Sequence, residues 1–480
     1  MESVVQKLAA KPLRSTLVLG LILLLAGNWI LPLTDRDETR FAEASREMLQ
    51  RGDYVVPWFN GHWRFDKPIL IYWCQSASYR LLGVNAFAAR LPSVLFTTAT
   101  ALLLVRWGRK VADGRTAFMA GAMFLAALHV AIIGRVATAD MAMIFFFMLA
   151  VWSGWELTRP ESSRRTIWWG VFYGTLALGF LAKGPVAWLP IAPVVLARIL
   201  RGRSFRLPVW ETVLGIGLTG ALTAWWGIPA IEQTHWQYLT VGLGVHVFQR
   251  STGVNDGHGL AGILGFIALL PLYFGTFFIS FLPWSTRVPG ALRRWWAERP
   301  TDNLGWYLLM QALFVFAVFS CVRTKLPHYT MPAFPCIALW LALQLRTEAH
   351  AFAWFQRRLA VMVILVLVLM LGATSLVRNQ FLTERLWSAL QPQLRADTKI
   401  GCYGFTESSL VWKFRGVITN PVTLGGEKDA GSFLTNSPPF ILVLPTKELA
   451  KLGDTNGLQI PVRGFDMVKF KYWDLTAIVR

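Results

Sequence analysis

The sequence predicts an all-α polytopic membrane bundle of about eleven transmembrane helices, followed by a small C-terminal α/β domain. Three observations predict this class. The 480 residues are 54% hydrophobic and only 15% charged, too few charges to cover a soluble protein of this length. Apolar runs close to the ~20 residues of a spanning helix recur through most of the chain. The 23 Trp suit two aromatic belts at the bilayer surfaces.

The apolar runs give the order of the predicted spans. They lie at about 15–33, 86–105, 116–133, 141–157, 167–182, 185–200, 208–230, 260–283, 304–321, 329–346 and 358–377. The first follows Lys7, Lys11 and Arg14 and has no small-x-small cleavage site, which predicts an uncleaved first helix. The runs between 167 and 200 are short and separated only by Lys183-Gly184-Pro185, so they are either two tilted spans or one broken helix.

The distribution of bases predicts the orientation. The net charge is +20, and six clusters of Lys and Arg fall on the side of the N-terminus. The short opposite loops carry only Arg135, Lys183, Arg250, Arg323 and Lys325. The positive-inside rule therefore predicts a cytoplasmic N-terminus, and an odd number of spans places the C-terminal domain outside. Bases placed between apolar runs argue against nucleic acid as a partner.

The four Cys have no CxxC spacing, which predicts neither a metal cluster nor a disulfide framework.

The first outer loop, Leu33 to Pro68, is dense in acids and bases, which at a membrane surface indicates chemistry or anion binding. Asp35-x-x-Glu38 predicts a capping box and Gly52 a C-cap. Between them, apolar residues recur at helical spacing, which predicts an amphipathic helix in the interface plane; they are Phe41, Ala44, Met48 and Leu49. Asn60-Gly61 predicts a turn, and Pro68 the start of a second interfacial helix, Ile69 to Leu82.

The composition changes after residue 378. Apolar stretches shorten to Phe440–Leu444 and Leu475–Val479, with turn-rich segments between them, and Thr446–Gly453 predicts a short helix closed by a Gly C-cap. These features predict a membrane domain at 1–378, with its functional first loop at 34–85, and an outer α/β domain at 379–480.

Short motifs recur along the chain in the order found in one enzyme group. They are Asp37-Glu38-Thr39-Arg40-Phe41-Ala42-Glu43, Gly52-Asp53-Tyr54-Val55-Val56-Pro57, Asn60-Gly61, Asp66-Lys67-Pro68, Ala88-Ala89-Arg90-Leu91-Pro92, Lys183-Gly184-Pro185, His246-x-x-x-Arg250, Arg323-Thr324-Lys325-Leu326-Pro327-His328-Tyr329 and Gly404-Phe405-Thr406-Glu407-Ser408-Ser409-Leu410. In this order they resemble bacterial polyprenyl-phosphate-sugar glycosyltransferases of the dolichyl-phosphate-mannose-protein mannosyltransferase-like group, which includes the aminoarabinose lipid A transferases. Phe41 and Asp66 depart from the pattern, since those transferases usually have Tyr and Glu there.

The resemblance implies a GT-C fold, a catalytic first periplasmic loop and a polyprenyl (undecaprenyl) phosphate sugar as donor. It implies catalytic carboxylates at Asp37 and Glu38. It also implies a divalent metal (zinc, magnesium or manganese) held by Asp66 and His246. The residues expected at the donor phosphate are Arg40, Lys67, Lys183, Arg250, Arg323, Lys325 and Tyr329.

Several of these residues have a second interpretation. Asp35, Asp37 and Glu38 suit helix capping and the helix dipole, and Arg323 and Lys325 suit snorkelling at a helix end. Asp140 is either an N-cap or a second site carboxylate. His258, in a Gly-flanked stretch, predicts a flexible loop tip or a lid. If the acceptor is a hydroxyl, Asp37 is the expected general base; if it is a phosphate, Asp37 orients the metal or the basic groups.

The sequence thus predicts a multi-pass enzyme of the bacterial inner membrane that moves a sugar, aminoarabinose or similar, to lipid A or another glycolipid. No GxGxxG or P-loop element adjoins a strand, so no nucleotide cofactor is expected. A protein O-mannosyltransferase-like enzyme is one alternative. A lipid flippase or transporter is the other, but transporters usually carry ionisable groups near mid-membrane, and these apolar runs are nearly free of central charge.

Overall fold

The structure is a computed structural model, and it describes residues 7–33, 36–159, 162–201, 208–249, 269–298, 303–405, 407–425, 430–452, 455–467 and 469–480. Its side chains are described except for Arg36, Arg198, Leu200, Arg201, Leu243 and those at 245–249. Arg250 and His258, and parts of the predicted run at 260–283, lie outside the described residues.

Each apolar run is helical over most of its described part. Up to residue 377 they are α1 Pro12–Leu25, α2 Arg36–Arg51, α3 Leu70–Leu82, α4 Ala86–Val111, α5 Gly114–Leu125, α6 Leu128–Ile133, α7 Asp140–Thr158, α8 Arg165–Lys183, α9 Ile191–Arg201, α10 Val209–Gln233, α11 Leu272–Ser280, α12 Val288–Glu298, α13 Asn303–Cys321, α14 Phe334–Leu345, α15 Ala351–Leu367 and α16 Thr374–Val377. A π-helix covers Tyr238–Gln249 and another Val368–Ala373; 3-10 segments cover Gly184–Trp188, Trp284–Arg287, Pro327–Ala333 and Arg378–Gln380.

Within the described ranges, six helical segments are long and apolar enough to cross a bilayer. They are Ala86–Val111, Asp140–Thr158, Arg165–Trp188, Val209–Gln233, Asn303–Cys321 and Ala351–Gln380. The predicted helical bundle is therefore confirmed, whereas the predicted number of spans stays a prediction. Several apolar runs form shorter helices than expected; the run at 116–133, for example, is divided into α5 and α6. The region 167–200 forms two helices, α8 and α9, joined by the 3-10 segment Gly184–Trp188.

The chain divides into two compact units. The first holds Met1–Ala26, Phe65–Ile71 and Leu91–Leu367; the second holds Gly27–Arg64, Tyr72–Arg90 and Val368–Arg480. Most of the first loop groups with the C-terminal residues, and the domain boundary at residue 378 stays a prediction. The reason lies in the side-chain pairs that the loop makes with the tail, which are described below.

The first unit is built around α7. Nearly every side chain of α7 is apolar and buried, as expected of a helix surrounded by other helices. Its Trp152 ring stacks on Trp107 of α4 with ring centroids 5.7 Å apart, and α8 packs along it. Helices α4 and α5 approach closely at Gly108 and Gly121. A Cβ at Gly121 would lie 2.7 Å from Val105, so only glycine allows this contact.

The first-loop helices of the second unit are largely as predicted. Helix α2 ends at Arg51, where Gly52 (φ 67°) donates its backbone N–H to Met48 O. Asn60 and Gly61 form the turn between β1 (Trp58–Phe59) and β2 (His62–Trp63). The packing of α2 differs from the expectation of a helix lying on the interface. Its Phe41 ring packs on Tyr72 of α3, and its Thr39 hydroxyl bonds Ser408, 369 positions away.

The C-terminal residues form the predicted α/β fold. Its elements are α17 Leu382–Leu390, 3-10 Gln391–Gln393, β3 Lys399–Tyr403, α18 Ser408–Phe414, β4 Thr423–Gly425, α19 Ala430–Phe433, β5 Phe440–Pro445, 3-10 Thr446–Lys451, β6 Leu458–Asp466 and β7 Lys471–Val479. The sheet order is β4-β3-β5-β7-β6, with β3 parallel to β4 and β5, and β7 antiparallel to β5 and β6. The predicted helix at 446–453 is a 3-10 segment, and Gly453 lies outside the described residues.

Candidate active site

A cavity of about 570 Å³ in the first unit brings together polar groups from distant parts of the sequence. Asp66, Lys67, Asp140, Lys183 and Tyr329 all line it, as does His328. Five predicted site residues therefore converge. The remainder of the lining is mostly apolar, so the charged groups act in surroundings that strengthen their attraction for an anion.

Asp140 and Lys183 form an ion pair within this cavity. Lys183 is the last residue of α8, because Gly184 takes a positive-φ, extended conformation (φ 76°, ψ −152°) that glycine adopts readily and that ends the helix. Thr138 Oγ1 donates a hydrogen bond of 3.0 Å to Asp140 Oδ2. The N-cap of α7 is Ala139, and the Asp140 carboxylate points to Lys183 instead of capping the helix. This geometry favours the site carboxylate over the N-cap for Asp140.

The segment that carries Asp66 and Lys67 is fixed to the π-helix Tyr238–Gln249. Tyr238 donates its hydroxyl to Lys67 O over 2.8 Å, and its ring meets Phe65 edge-on with ring centroids 5.5 Å apart. Gly242 allows this approach, since a Cβ there would lie 3.2 Å from Phe65 O. Lys67 Nζ donates to Asp66 O over 2.9 Å. The backbone at this point is therefore held in place, and the Lys67 ammonium group lies on the cavity wall.

The 3-10 segment Pro327–Ala333 supplies two more groups. Tyr329 was predicted, and its ring centroid lies 5.8 Å from Lys183 Nζ. His328 was not singled out as a site residue, although it lies in a motif that carries the resemblance. Its ring lies 5.2 Å from Tyr329 and 6.5 Å from His129, centroid to centroid, and His129 Nδ1 is 2.9 Å from Ser280 Oγ. In the sequence, only the position of His328 next to Tyr329 could have indicated that His328 belongs to the site.

Lys325 and Arg323 do not line this cavity. Lys325 is buried and donates to Phe319 O (3.0 Å) and Ser320 O (2.6 Å), carbonyls in the last turn of α13. A cation at a helix C-terminus is favourable, so this geometry supports the helix-end interpretation for Lys325. Arg323 is exposed. Contact of either residue with the donor phosphate stays a prediction.

The predicted carboxylates of the first loop lie in the second unit. Asp37 is exposed in the first turn of α2, with Arg40 one turn further along the helix. Glu38 is 2% exposed and accepts two hydrogen bonds from one edge of the Arg90 guanidinium, from Nε at 2.6 Å and from Nη2 at 2.7 Å. Arg90 also donates to the carbonyls of Asn28 and Leu31. This arrangement favours a positioning role for Glu38. Its ion pair with Arg90 fixes the first turn of α2, which also carries Asp37.

A second buried charged cluster joins α2 to the C-terminal part of this unit. Glu43 is 1% exposed and accepts two hydrogen bonds from Arg46, at 2.6 and 3.0 Å. Burial raises the pKa of Glu43, and the adjacent Arg46 opposes that rise. Arg415, which follows α18, also acts electrostatically on Glu43, and burial lowers the pKa of Arg415. The Glu43–Arg46 pair is local in sequence, but its burial beside Arg415 joins residues far apart in the chain, and no sequence pattern indicates it.

Of the two predicted metal ligands, the structure describes the side chain of Asp66 alone. The side chain of His246 and all of Arg250 fall outside the described residues. Among the side chains that the structure describes, no three His, Cys, Asp or Glu residues come together as metal ligands. The described donor set alone therefore does not make a metal site.

Comparison with known protein families indicates the class of protein. The dolichyl-phosphate-mannose-protein mannosyltransferase family matches residues 66–226 of this chain. This segment includes Asp66, Lys67, Asp140 and Lys183, four of the groups that line the cavity. The match covers a minority of the chain, and three of the motifs that carried the resemblance lie within it: Asp66-Lys67-Pro68, Ala88-Ala89-Arg90-Leu91-Pro92 and Lys183-Gly184-Pro185.

Individual relatives then make the class more specific. The undecaprenyl phosphate-alpha-4-amino-4-deoxy-L-arabinose arabinosyl transferase of Pectobacterium carotovorum is 34% identical over 342 residues, covering 69% of this chain and 58% of the relative. The Aeromonas salmonicida enzyme of the same name is 35% identical over 319 residues, covering 65% and 56%. The matched region thus spans less than two thirds of these relatives.

One solved structure shows the fold. The crystal structure of ArnT from Cupriavidus metallidurans bound to undecaprenyl phosphate superposes with a TM-score of 0.78 at 17% identity, covering 96% of this chain and 97% of that one. The predicted resemblance to the polyprenyl-phosphate-sugar transferases is confirmed in sequence, and the GT-C fold is confirmed in structure.

Proposed function

We propose that this protein is an integral membrane glycosyltransferase that moves a sugar, aminoarabinose or a similar one, from a polyprenyl phosphate to lipid A or another glycolipid. The observation that carries the proposal is the cavity, where Lys67 and Lys183 lie beside a long apolar wall. A lipid phosphate has this same division between an anionic head and an apolar tail. The names of the relatives point to the same donor.

The apolar wall suits an isoprenoid tail. Phe180, Trp188, Trp226 and Ile228 contribute to it. Gly220 and Gly227 lie seven positions apart on α10, hence on one helix face, and a Cβ at either would meet no atom within 4 Å. The space beside these glycines is available for methyl-branched chain. Burial of apolar surface contributes roughly 25 cal/mol per Å², so a tail lying there would add substantially to donor binding.

The cations suit the departing phosphate. During transfer, the bond between the sugar C1 and the phosphate oxygen breaks, and the phosphate keeps the electron pair. The acceptor oxygen forms the new bond to C1. Negative charge grows on the phosphate as the bond breaks, and fixed ammonium groups in a low-dielectric site stabilise it more in the transition state than in the ground state. Lys67 and Lys183 supply those groups, and Asp140 holds Lys183 in place.

Asp37 is the proposed general base for a hydroxyl acceptor. It would take the proton that the acceptor oxygen loses, a role that contributes typically 10²–10⁴-fold to rate. A phosphate acceptor is already ionised and needs no base; Asp37 would then orient the basic groups. The acceptor class therefore decides how strongly Asp37→Asn lowers the rate.

We further propose that the protein lies in the bacterial inner membrane with its N-terminus in the cytoplasm and its C-terminal domain in the periplasm. The distribution of Lys and Arg along the sequence supports this orientation. Nucleotide sugars are not supplied outside the cytoplasm, so a periplasmic enzyme needs a donor carried across on lipid.

A divalent metal at Asp66 and His246 remains part of the proposal through the family resemblance alone.

The proposal is tested by incubating purified protein with radiolabelled polyprenyl-phosphate sugars and acceptor lipids from a membrane extract. Lys67→Ala should lower transfer about 10- to 150-fold, the value of one charge-assisted hydrogen bond of ~1.5–3 kcal/mol. Asp37→Asn should lower it further with a hydroxyl acceptor. Lys447→Ala, a change of the same type at an exposed residue, is the control and should leave transfer unchanged. Wild-type rates in both site variants would show the assignment to be wrong.

A protein acceptor is the second candidate, because the matching family is named for protein mannosylation. The same assay decides between them when hydroxyl-containing peptides replace the lipid extract. Label transferred to peptides and not to lipids would favour the second candidate.

A further inference from the structure

A β-hairpin in the second unit lies where the last candidate span ends. Strands β6 and β7 pair from Leu458↔Val479 to Asp466↔Lys471. The span Ala351–Gln380 ends at Gln380, and the next residue, Phe381, forms a β-bridge with Phe465. Gly464 makes this contact possible, since a Cβ there would lie 2.5 Å from Leu382 Cα. The end of the hairpin is thus fixed to the chain at the point where the last span ends.

The tip of this hairpin exposes large apolar side chains. Phe470 is 77% exposed, Tyr472 54% and Met467 40%. Phe470 takes a left-handed backbone conformation (φ 49°), which a bulky L-residue adopts unfavourably and Gly or Asn would adopt readily. Its ring meets Phe465 edge-on, with centroids 6.1 Å apart, yet most of its surface stays exposed. The position makes sense if the ring enters an apolar or interfacial environment.

Basic groups surround these side chains. Lys469 and Lys471 flank Phe470, and Arg463 lies across the hairpin from Asp474. Arg463, with Arg385 of α17, also lines a cleft of about 620 Å³ that includes Gln380 at the end of the span.

The two acids of the hairpin offset only part of this charge. Asp466 is buried and accepts from Trp473 Nε1 (2.9 Å) and the Lys469 backbone N–H (3.0 Å). Asp474 is matched by Arg463 at 3.4 Å. The exposed surface formed by Arg385, Arg463, Lys469, Phe470, Lys471 and Tyr472, here called the hairpin surface, is therefore basic and aromatic.

We propose that the hairpin surface binds an anionic lipid surface, with Phe470 and Tyr472 at the level of the headgroups and the four bases on lipid phosphates. Aromatic rings with Lys and Arg are the combination that binds anionic bilayer interfaces. Arg385 and Arg463 in one cleft suit bidentate contact with phosphate. Lys is depleted from protein–protein interfaces, which makes a protein partner the poorer fit. This interaction is separate from sugar transfer and extends the proposed function to a contact between the C-terminal domain and the membrane.

A depth measurement on the full chain tests the aromatic part. The protein is placed in nanodiscs of phosphatidylglycerol and phosphatidylethanolamine, with a nitroxide attached through a genetically encoded keto amino acid at position 470 or, as control, at 447. Lys447 is equally exposed, at 77% of its side chain. The label at 470 should be relaxed by oxygen and shielded from a water-soluble nickel reagent, whereas the label at 447 should show the opposite. Equal access of the nickel reagent to both labels would overturn the proposal.

A charge comparison tests the basic part. Phosphatidylglycerol retained by the purified protein is measured by native mass spectrometry for the double variant K469A/K471A and for the matched control K447A/K451A. A lysine near an anionic bilayer contributes enough that losing two should weaken phosphatidylglycerol binding roughly 30-fold. The control should retain wild-type lipid. Equal losses in both variants would contradict a specific surface. A label at 470 that stays in water and becomes immobile only when another protein is added would assign the surface to a protein partner instead.

Discussion

Replacing Lys183 with Met should lower both the stability of the protein and its rate of sugar transfer. The side chains of Lys183 and Asp140 are 14% and 12% exposed, so the Met variant leaves the Asp140 carboxylate buried without its cation. Removing one partner of a buried ion pair typically costs about 3–5 kcal/mol. The double variant K183M/D140N removes both charges and should recover most of that loss, because no uncompensated charge remains.

Transfer should behave differently from stability in the same pair of variants. Both lack the ammonium group that we place at the donor phosphate, worth about 1.5–3 kcal/mol as a charge-assisted hydrogen bond. At 1.36 kcal/mol per tenfold, kcat/KM should fall about 10- to 150-fold in the single and in the double variant. The double variant should therefore be stable and still slow.

Thermal unfolding followed by fluorescence, and the radiolabel transfer assay, measure the two effects on the same preparations. A double variant as unstable as K183M would refute the argument that Asp140 carries a charge compensated by Lys183. A stable double variant with wild-type transfer would refute the contact between Lys183 and the donor phosphate.

Three further outcomes are expected. Arg90→Met should lower the melting temperature strongly, since it removes the Arg90 cation from the buried Glu38 carboxylate at a cost of about 3–5 kcal/mol, and Glu38→Gln in the same chain should recover part of the loss. No recovery would show that the charge of Glu38 is not the cause. Burial raises the pKa of Glu407 above its ordinary value of 4.5. The wild-type protein should therefore lose stability relative to Glu407→Gln as the pH rises above that value, because the buried carboxyl group must then ionise. The Gln variant should melt at a higher temperature than wild type at about pH 8 and at the same temperature at about pH 4. A melting curve with the reverse pH trend would contradict this. If a divalent metal acts at Asp66, chelation and Asp66→Ala should each abolish transfer, and full activity after chelation would remove the metal from the account.

The sequence predicted those elements whose cause is local. Apolar runs became helices because a helix satisfies its own backbone hydrogen bonds, which a membrane segment requires. The Asn60-Gly61 turn and the end of α2 at Gly52 formed as expected, because these residues take the left-handed conformations that the positions need. Helix ends and tight turns are determined within a few residues, so one sequence is enough to place them.

Interactions between distant residues were not predictable in the same way. The apolar face of α2 suggested an interfacial helix, but the structure buries its charged face as well, through the Arg90 pair of Glu38, 52 positions away. Nothing in the spacing of one sequence indicates such a partner. For Lys325 the sequence left the donor phosphate and a helix end open, since a base after an apolar run suits both roles, and the structure places its ammonium group on the last carbonyls of α13. The convergence of Asp140 with Lys183 was likewise visible only in the fold.

Photolabelling tests the cavity most directly as the donor site. A polyprenyl phosphate with a photoreactive group in its isoprenoid tail is bound to the purified protein, irradiated, and mapped by mass spectrometry of the labelled peptides. Labels should fall on the apolar wall, at Phe180, Trp188 or Ile228, and should disappear when excess natural polyprenyl phosphate is present or when Lys183 is replaced. Labels spread over the lipid-facing helices and insensitive to either change would mean that this cavity does not hold the donor.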